Sequence, residues 1–456
     1  MSALPLDAAA FADRGGTRPA PVRIVHIGLG NFHRAHQAWY TAHAADAAAW
    51  GIAAFTGRSA DQADLLAPQD GLYCLVVRGE AADRVEIVPS VVEVHDGARL
   101  DRLTQLLADP AVAIVTLTVT EAGYLLTPAG DADVAHAAVA ADVTELTEGH
   151  PSGARPTTAL GRLLLGLDAR RRAGGGPLAV VPCDNIPGNG AYVRRGLLSL
   201  AGAVSAPLAA WIAAHVAFVG TSVDRITPRI HSAVPAVEEA GWVDRSPVVT
   251  EPFSDWVLSG SFPAGRPAWE AAGARFVDDL EPWENRKLWL LNGAHSILSF
   301  AGLARGLTTV AEAIADGGCR ALVDAFWDEA VQALPEGIEH VEYRAALIRR
   351  FANHRIEHRL AQIAADDTTK VRYRFAAVAE ASLDRGADPA ASAAGIAVWI
   401  DAHRRGVLPG PAPADPLDTA AMLAAVSWRL TASAPFLRRI DDELTALHRT
   451  TASATR

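Results

Sequence analysis

Cysteine is scarce in this 456-residue chain, and Cys74, Cys183 and Cys319 stand far apart. Such spacing offers no disulfide framework and no CxxC knuckle for a metal, which fits a reducing compartment, taken here as the cytoplasm. Clustered basic charge is also missing. The formal net charge is −11, and no run of Lys and Arg interleaves with aromatic residues as a nucleic-acid groove requires, so no nucleic-acid partner is expected. Residues 1–21 lack the apolar core of a secretion signal and carry Asp7, Asp13, Arg14 and several prolines, which predicts a flexible leader. A long apolar run is absent too. The most apolar stretch, near 207–220, is too short to span a bilayer and contains His215, so no membrane association is expected.

What is present points to a compact globular protein. Half of the residues are apolar and 20% are charged, with neither a repeat nor a long polar tract, and the length exceeds one ordinary core. VRIVHI (22–27) reads as a strand, followed by GLGNFHRAH (28–36) and a helical stretch to about Ala49. GIAAF (51–55), VEIVPSVVEV (85–94), AVAIVTLTV (111–119) and LAVVPC (178–183) read as further strands, the last preceded by a leucine-spaced helix over 154–172. Buried runs without alternation predict a parallel sheet. After about Leu280 strands stop, and helical stretches are expected over 287–304 (283–301 where Pro282 sets the start), 308–316, 319–332, 341–364, 372–385 and 390–404, with VLPGPAPADP (407–416) as a linker. The fold class expected is therefore α/β, with a Rossmann-like domain over 22–278 and a mostly α-helical domain over 279–456.

Three stretches could carry chemistry. In GLGNFHRAH, Gly28 permits a tight turn and Gly30 lets backbone approach a pyrophosphate; His33 stands where a third glycine is usual, and glycines also end strands for structural reasons. The second strand ends FTGRSAD, which places Arg58 before Asp61 where an acid usually holds the ribose of NAD. Arg58 fits either 2′-phosphate recognition or a solvated loop. In CDNIPGNG (183–190), Asn185 stands beyond a strand's carboxyl end, where substrate or nicotinamide would lie, or forms an Asx turn before Pro187.

The third stretch is KLWLLNGAH (287–295). Pro282, Glu281 and Glu284 suit a helix start, and on a wheel of about 100° per residue Lys287, His295 and Asn292 fall near 0°, 80° and 140°. A cation, an amide and an imidazole on one face can surround a single oxygen atom. The bland alternative is a lysine that reaches solvent beside two satisfied core polar groups.

Together with TVTEAGY (118–124), VDRITP (223–228), EPFSDWV (251–257), AGRPAWEAAGARFV (264–277) and RFANHRIEHRLAQIAADDTTK (350–370), these stretches resemble the mannitol dehydrogenase family of polyol and sugar-acid dehydrogenases. The resemblance extends from about 22 to 405. It implies metal-independent hydride transfer between a secondary alcohol and a nicotinamide cofactor, NAD by preference with NADP open. It makes Lys287 the general base, gives Asn292, His295 and Asn185 to the reacting oxygen, and gives Glu284 to proton relay. Gly28, Gly30, Asn31, Phe32, Arg34, Arg58 and Thr120 become cofactor contacts, and Asp224, Lys370 and Gln362 substrate contacts. Two departures stand out. DDTTK lacks the glycine and proline of the family's DGSxK-P-like turn, and Gln362 stands where polyol members, as aligned here, often carry arginine and fructuronate reductases do not.

The expected substrate is a mannitol- or arabinitol-like polyol and its ketose, with fructuronate reductase (D-mannonate oxidoreductase) as the alternative; partners are small sugar alcohols, ketoses or sugar acids. Two other classes are weighed against it. HRIEH (354–358) fits an HxxEH zinc-peptidase pattern if it lies on a helix, and a nucleotide sensor without chemistry would explain the glycine turn but not the Lys, Asn and His face.

Overall fold

A computed structural model describes residues 3–19, 21–148, 153–228, 233–356 and 358–454. The chain divides into two compact units, Met1–Leu280 and Glu281–Arg456. In the first, Val22–Ile27, Gly51–Phe55, Val91–His95, Ile114–Leu117, Leu178–Pro182 and Val216–Phe218 form one parallel sheet. Across it they lie in the order third, second, first, fourth, fifth, sixth. This is the doubly wound dinucleotide order, and its direction reverses between the Val22–Ile27 and Ile114–Leu117 strands.

The unalternating apolar runs follow from two covered faces. Val25, Ile27, Phe55, Val115 and Val180 pack into a layer with Leu103, Leu107, Leu163 and Leu167. Their neighbours Ile24, Ile52, Ala54, Ile114 and Val181 belong to a layer with Trp50, Trp256 and Trp269. A smaller sheet pairs Gly220–Asp224 antiparallel with Asp255–Ser259, and another sets Tyr73–Arg78 between Val248–Thr250 and Asp83–Val88.

Two expectations for this unit are corrected. Residues 4–13 are not a flexible leader: Leu4–Pro5 pairs with Trp242–Val243, Ala8–Asp13 is helical, and Leu6 is buried with Leu72, Trp242 and Val249. The apolar cluster that holds them is built by distant sequence, which composition does not reveal. The single helix expected to Ala49 is instead Asn31–Ala35 and Gln37–Ala42, because His36 leaves helical backbone (φ −119°, ψ −88°). A short 3-10 turn, Ala47–Ala49, follows.

Among the described residues the second unit has no strand, only an isolated bridge between Thr309 and Arg359. Its centre is built from Ala294–Ala304 and Ala390–Arg404, which are buried nearly all round, as uniformly apolar helices are. The helix expected over 341–364 breaks after Ala352, leaving a turn before Leu360–Ile363. The helix expected from 283 onward is composite: α over Glu281–Arg286, π over Lys287–Gly293, and α again over Ala294–Ala304. No helix among the described residues is long and apolar enough to cross a membrane.

Candidate active site

In the first unit the polar residues gather where the parallel strands end. Gly28 has φ +108°, and a Cβ there would lie 2.1 Å from the Thr118 carbonyl oxygen, so no other residue fits the turn. Gly28 and Leu29 both donate backbone N–H to the Phe55 carbonyl at 2.9 Å, which ties the turn to the second strand. A Cβ at Gly30 meets nothing nearer than 3.7 Å, leaving open space against the backbone. A tight turn with bare backbone at the switch point of the sheet fits a dinucleotide diphosphate.

Asn31 and Phe32 open the short helix after it, with Phe32 stacked on His36 at 4.9 Å. Arg34 is buried. Its guanidinium donates to Asn31 Oδ1 (2.7 Å), Gln62 Oε1 (2.6 Å) and the Ser246 carbonyl, so it acts by fixing the Asn31 side chain, and burial lowers its pKa to about 10. It also borders a cleft of about 700 Å³ with Asn31, Gln62 and Asp244. Arg58 is exposed and makes no hydrogen bond or ion pair among the described residues, whereas Asp61 accepts from Ser59 Oγ at 3.0 Å.

Sequence reasoning passed over Asp184, which organises the edge of the sheet. Its carboxylate accepts from Val119 N (3.0 Å), Thr120 N (2.8 Å) and Tyr124 Oη (2.6 Å). These bonds hold Thr120 at φ +69°, a conformation costly for a branched residue. Burial pushes the Asp184 pKa up, against those donors. Asn185, the next residue, is exposed at the strand's carboxyl end. Asn189 is fully buried; it donates to the Asp184 carbonyl (3.0 Å) and the Thr221 carbonyl (2.8 Å), joining the sheet edge to the strand that ends in Asp224. The signal was in CDNIPGNG, whose Asp and second Asn were read past in favour of Asn185.

In the second unit the candidate residues Lys287 and Asn292 lie on a seven-residue π segment. Hydrogen bonds from i to i+5 bring Lys287 and Asn292 onto one edge, closer than the α-helical wheel predicts. Both are partly buried, as is Glu284 one turn earlier. Carbonyls of the widened turn receive side-chain donors: Trp327 Nε1 donates to Leu290 O (2.7 Å) and Arg374 Nη1 to Asn292 O (2.8 Å). Arg374 also donates to Ser296 Oγ at 2.6 Å and lies in a second π segment, Arg372–Ala376. Gly293 admits the ring of Phe326, which a Cβ would meet at 2.5 Å.

His295 is buried between Phe351 (4.8 Å) and His358 (4.9 Å), and its Nε2 has no hydrogen-bond partner. Burial first, then the neighbouring His358 ring and the cations Arg350, Arg374 and Lys370, hold its pKa well below the usual range, so the ring is neutral. A neutral imidazole with a free nitrogen can donate one hydrogen bond to an incoming oxygen.

Lys370 and Gln362 gather at the short Leu360–Ile363 helix. Lys370 Nζ donates to the carbonyls of Ile363 (2.8 Å) and Ala365, closing the end of the Leu360–Ile363 helix. Gln362 is exposed on that helix. The glycine missing from DDTTK is not needed at 367: Asp366 takes the left-handed conformation (φ +52°), and Asp367 pairs with His403 at 2.8 Å. His354 and His358 sit in the turn after Ala352, not on a helix face, and Glu357 lies outside the described residues. The zinc-peptidase geometry is therefore lost, and the described residues contain no group of three or more potential ligands able to hold a metal.

Fold and residues together define a two-unit protein of the dinucleotide-binding dehydrogenase class. The mannitol dehydrogenase Rossmann domain family matches residues 22–271 and the mannitol dehydrogenase C-terminal domain family residues 279–418, so the chain belongs to the mannitol dehydrogenase family. It is 38% identical to D-arabinitol 4-dehydrogenase of Ralstonia nicotianae over 87% of this chain and 86% of that one. It is 34% identical to D-mannonate oxidoreductase of Escherichia coli, over 83% and 79%. Among solved structures it superposes on mannitol 2-dehydrogenase of Pseudomonas fluorescens, a ternary complex with NAD and D-mannitol, with a TM-score of 0.75, 30% identity, and coverage of 99% and 98%.

Proposed function

We propose that this protein is a nicotinamide-dependent oxidoreductase that interconverts a linear polyol, of mannitol or arabinitol type, and its ketose. The nicotinamide accepts hydride from the carbinol carbon, or returns it. In the oxidative direction Lys287 Nζ takes the hydroxyl proton, and Glu284 passes it towards solvent. Asn292 and the neutral His295 hydrogen-bond the oxygen as negative charge develops on it. Hydride leaves more readily from an alkoxide than from an alcohol, and this set makes the alkoxide with protein groups alone.

The observation that carries the reading is the π segment, which sets Lys287 and Asn292 on one edge beside a buried imidazole whose nitrogen is free. Gly28, Gly30, Asn31 and Thr120 would hold the dinucleotide, with Arg34 acting through Asn31. NAD is the assigned cofactor, by likeness to the NAD-bound relative; the unpaired Arg58 is the residue that would admit the 2′-phosphate of NADP.

A second reading, reduction of a keto sugar acid such as fructuronate, is favoured by the cations Arg350, Arg374 and Lys370 around His295 and by exposed Gln362 in place of an arginine. Mannitol, arabinitol, sorbitol, fructose and fructuronate, each with NAD(H) and NADP(H) and followed by nicotinamide absorbance, test both. Turnover of a neutral polyol supports the first reading and exclusive turnover of fructuronate the second. Turnover of none of them sinks both.

A further inference from the structure

The third glycine of a dinucleotide fingerprint ordinarily lets helix and strand pack closely. In this chain that position is His33, and both its ring and that of His26, near the carboxyl end of the first strand, are fully buried. The two rings lie parallel, 3.4 Å apart with an interplanar angle of 9°. His33 therefore fills by stacking the space that a glycine would close by contact.

His26 is also the hub of a hydrogen-bond relay. Thr118 Oγ1 donates to the Gly28 carbonyl at 2.8 Å, so its lone pair must accept from His26 Nε2 at 3.1 Å. His26 Nδ1 then accepts from Thr116 Oγ1 at 2.8 Å, which fixes a single tautomer. The relay spans the two strands between which the sheet order reverses and ends on the glycine with φ +108°. Neither nitrogen of His33 makes a well-formed hydrogen bond, so flat ring area, not polarity, is what this residue supplies.

We propose that His26 and His33 are positioning residues for the dinucleotide: the stack presses the first helix onto the sheet, and the Thr116–His26–Thr118 relay sets the Gly28 carbonyl and hence the turn that receives the diphosphate. This rests on the nicotinamide reading above and adds a claim about how affinity for the cofactor is built. The relay is a device of the ground-state turn and contains none of the residues assigned to the reacting oxygen, so it acts on cofactor affinity more than on the chemical step.

The test is the dissociation constant of NADH by calorimetry, together with urea unfolding, for the wild type, Thr118→Val, His33→Gly and His33→Phe. Thr118→Val, near-isosteric and without the donor to Gly28, should weaken NADH binding about three- to tenfold, the effect of losing one hydrogen bond. His33→Gly should weaken it at least as much, and His33→Phe should restore wild-type affinity because the phenyl ring keeps the stack. In turnover, KM for the cofactor should rise in Thr118→Val while KM for the polyol stays put. Unchanged NADH affinity in Thr118→Val, or failure of His33→Phe to outperform His33→Gly, overturns the proposal. A wild type that binds neither NADH nor NADPH overturns the nicotinamide reading along with it.

Discussion

Gly28–Gly30 and Lys287–Gly293 each place polar chemistry in apolar surroundings, the first by removing side chains and the second by widening a helix. At the glycine turn, where φ is +108°, a Cβ on Gly28 would lie 2.1 Å from the Thr118 carbonyl oxygen, so the geometry depends on what is missing. In the π segment no residue is missing. The i to i+5 pattern rearranges ordinary residues, and donors from Trp327 and Arg374 take carbonyls of the widened turn. Steric exclusion leaves a mark in sequence, whereas a change of hydrogen-bond register does not.

Four experiments press on that contrast. Lys287→Ala should lower kcat by about 10²- to 10⁴-fold near neutral pH, the usual reach of a general base, with partial recovery as pH rises; steady-state rates across pH measure it, and a loss below tenfold removes Lys287 from the role. Gly28→Ala should weaken NADH binding by about ten- to a hundredfold, since the strained backbone alone costs about 1–3 kcal/mol; calorimetry reads it. Should Gly28→Ala bind normally, the turn is not set by steric exclusion. Arg374→Met removes a charged donor from Asn292 O and Ser296 Oγ and should lower kcat/KM by roughly tenfold. Retained activity there would mean that the π segment holds its shape without Arg374.

The smallest effect concerns pH. His358 is pushed down to about 4, by burial first and Arg350 second, and His26 to about 3 by burial, so both are neutral in the folded protein. Unfolded, they take up protons below about pH 6.5. The unfolded state therefore binds more protons in that window, and their contribution to stability, complete above pH 6.5, is lost on acidification towards pH 4. The unfolding free energy from urea titrations should fall by at least about 1 kcal/mol per pH unit across it. A flat profile would indicate that these rings are solvated.

Legibility followed the same division. The parallel sheet could be read because both faces are covered, which leaves unbroken apolar runs such as GIAAF and LAVVP. Gly28 could be read because glycine is a visible choice. KLWLLNGAH was read on the wrong lattice: periodicity at about 100° per residue spreads Lys287 and Asn292 apart, and nothing in the nine letters announces the π register. Asp184 and Asn189 were missed because their partners, Thr120, Tyr124 and Thr221, are distant in sequence. The supposed leader was misjudged for a similar reason, since Leu4–Pro5 pairs with a strand near residue 242.

Chelator-treated protein assayed with a sugar alcohol and NAD(P) probes the proton-transfer chemistry head on, wild type beside Lys287→Ala. An amine-driven, metal-free oxidation requires undiminished NAD(P)H formation by the stripped wild type and near silence from the variant. Activity that vanishes with the chelator and returns with zinc, or a variant as fast as its parent, would contradict it.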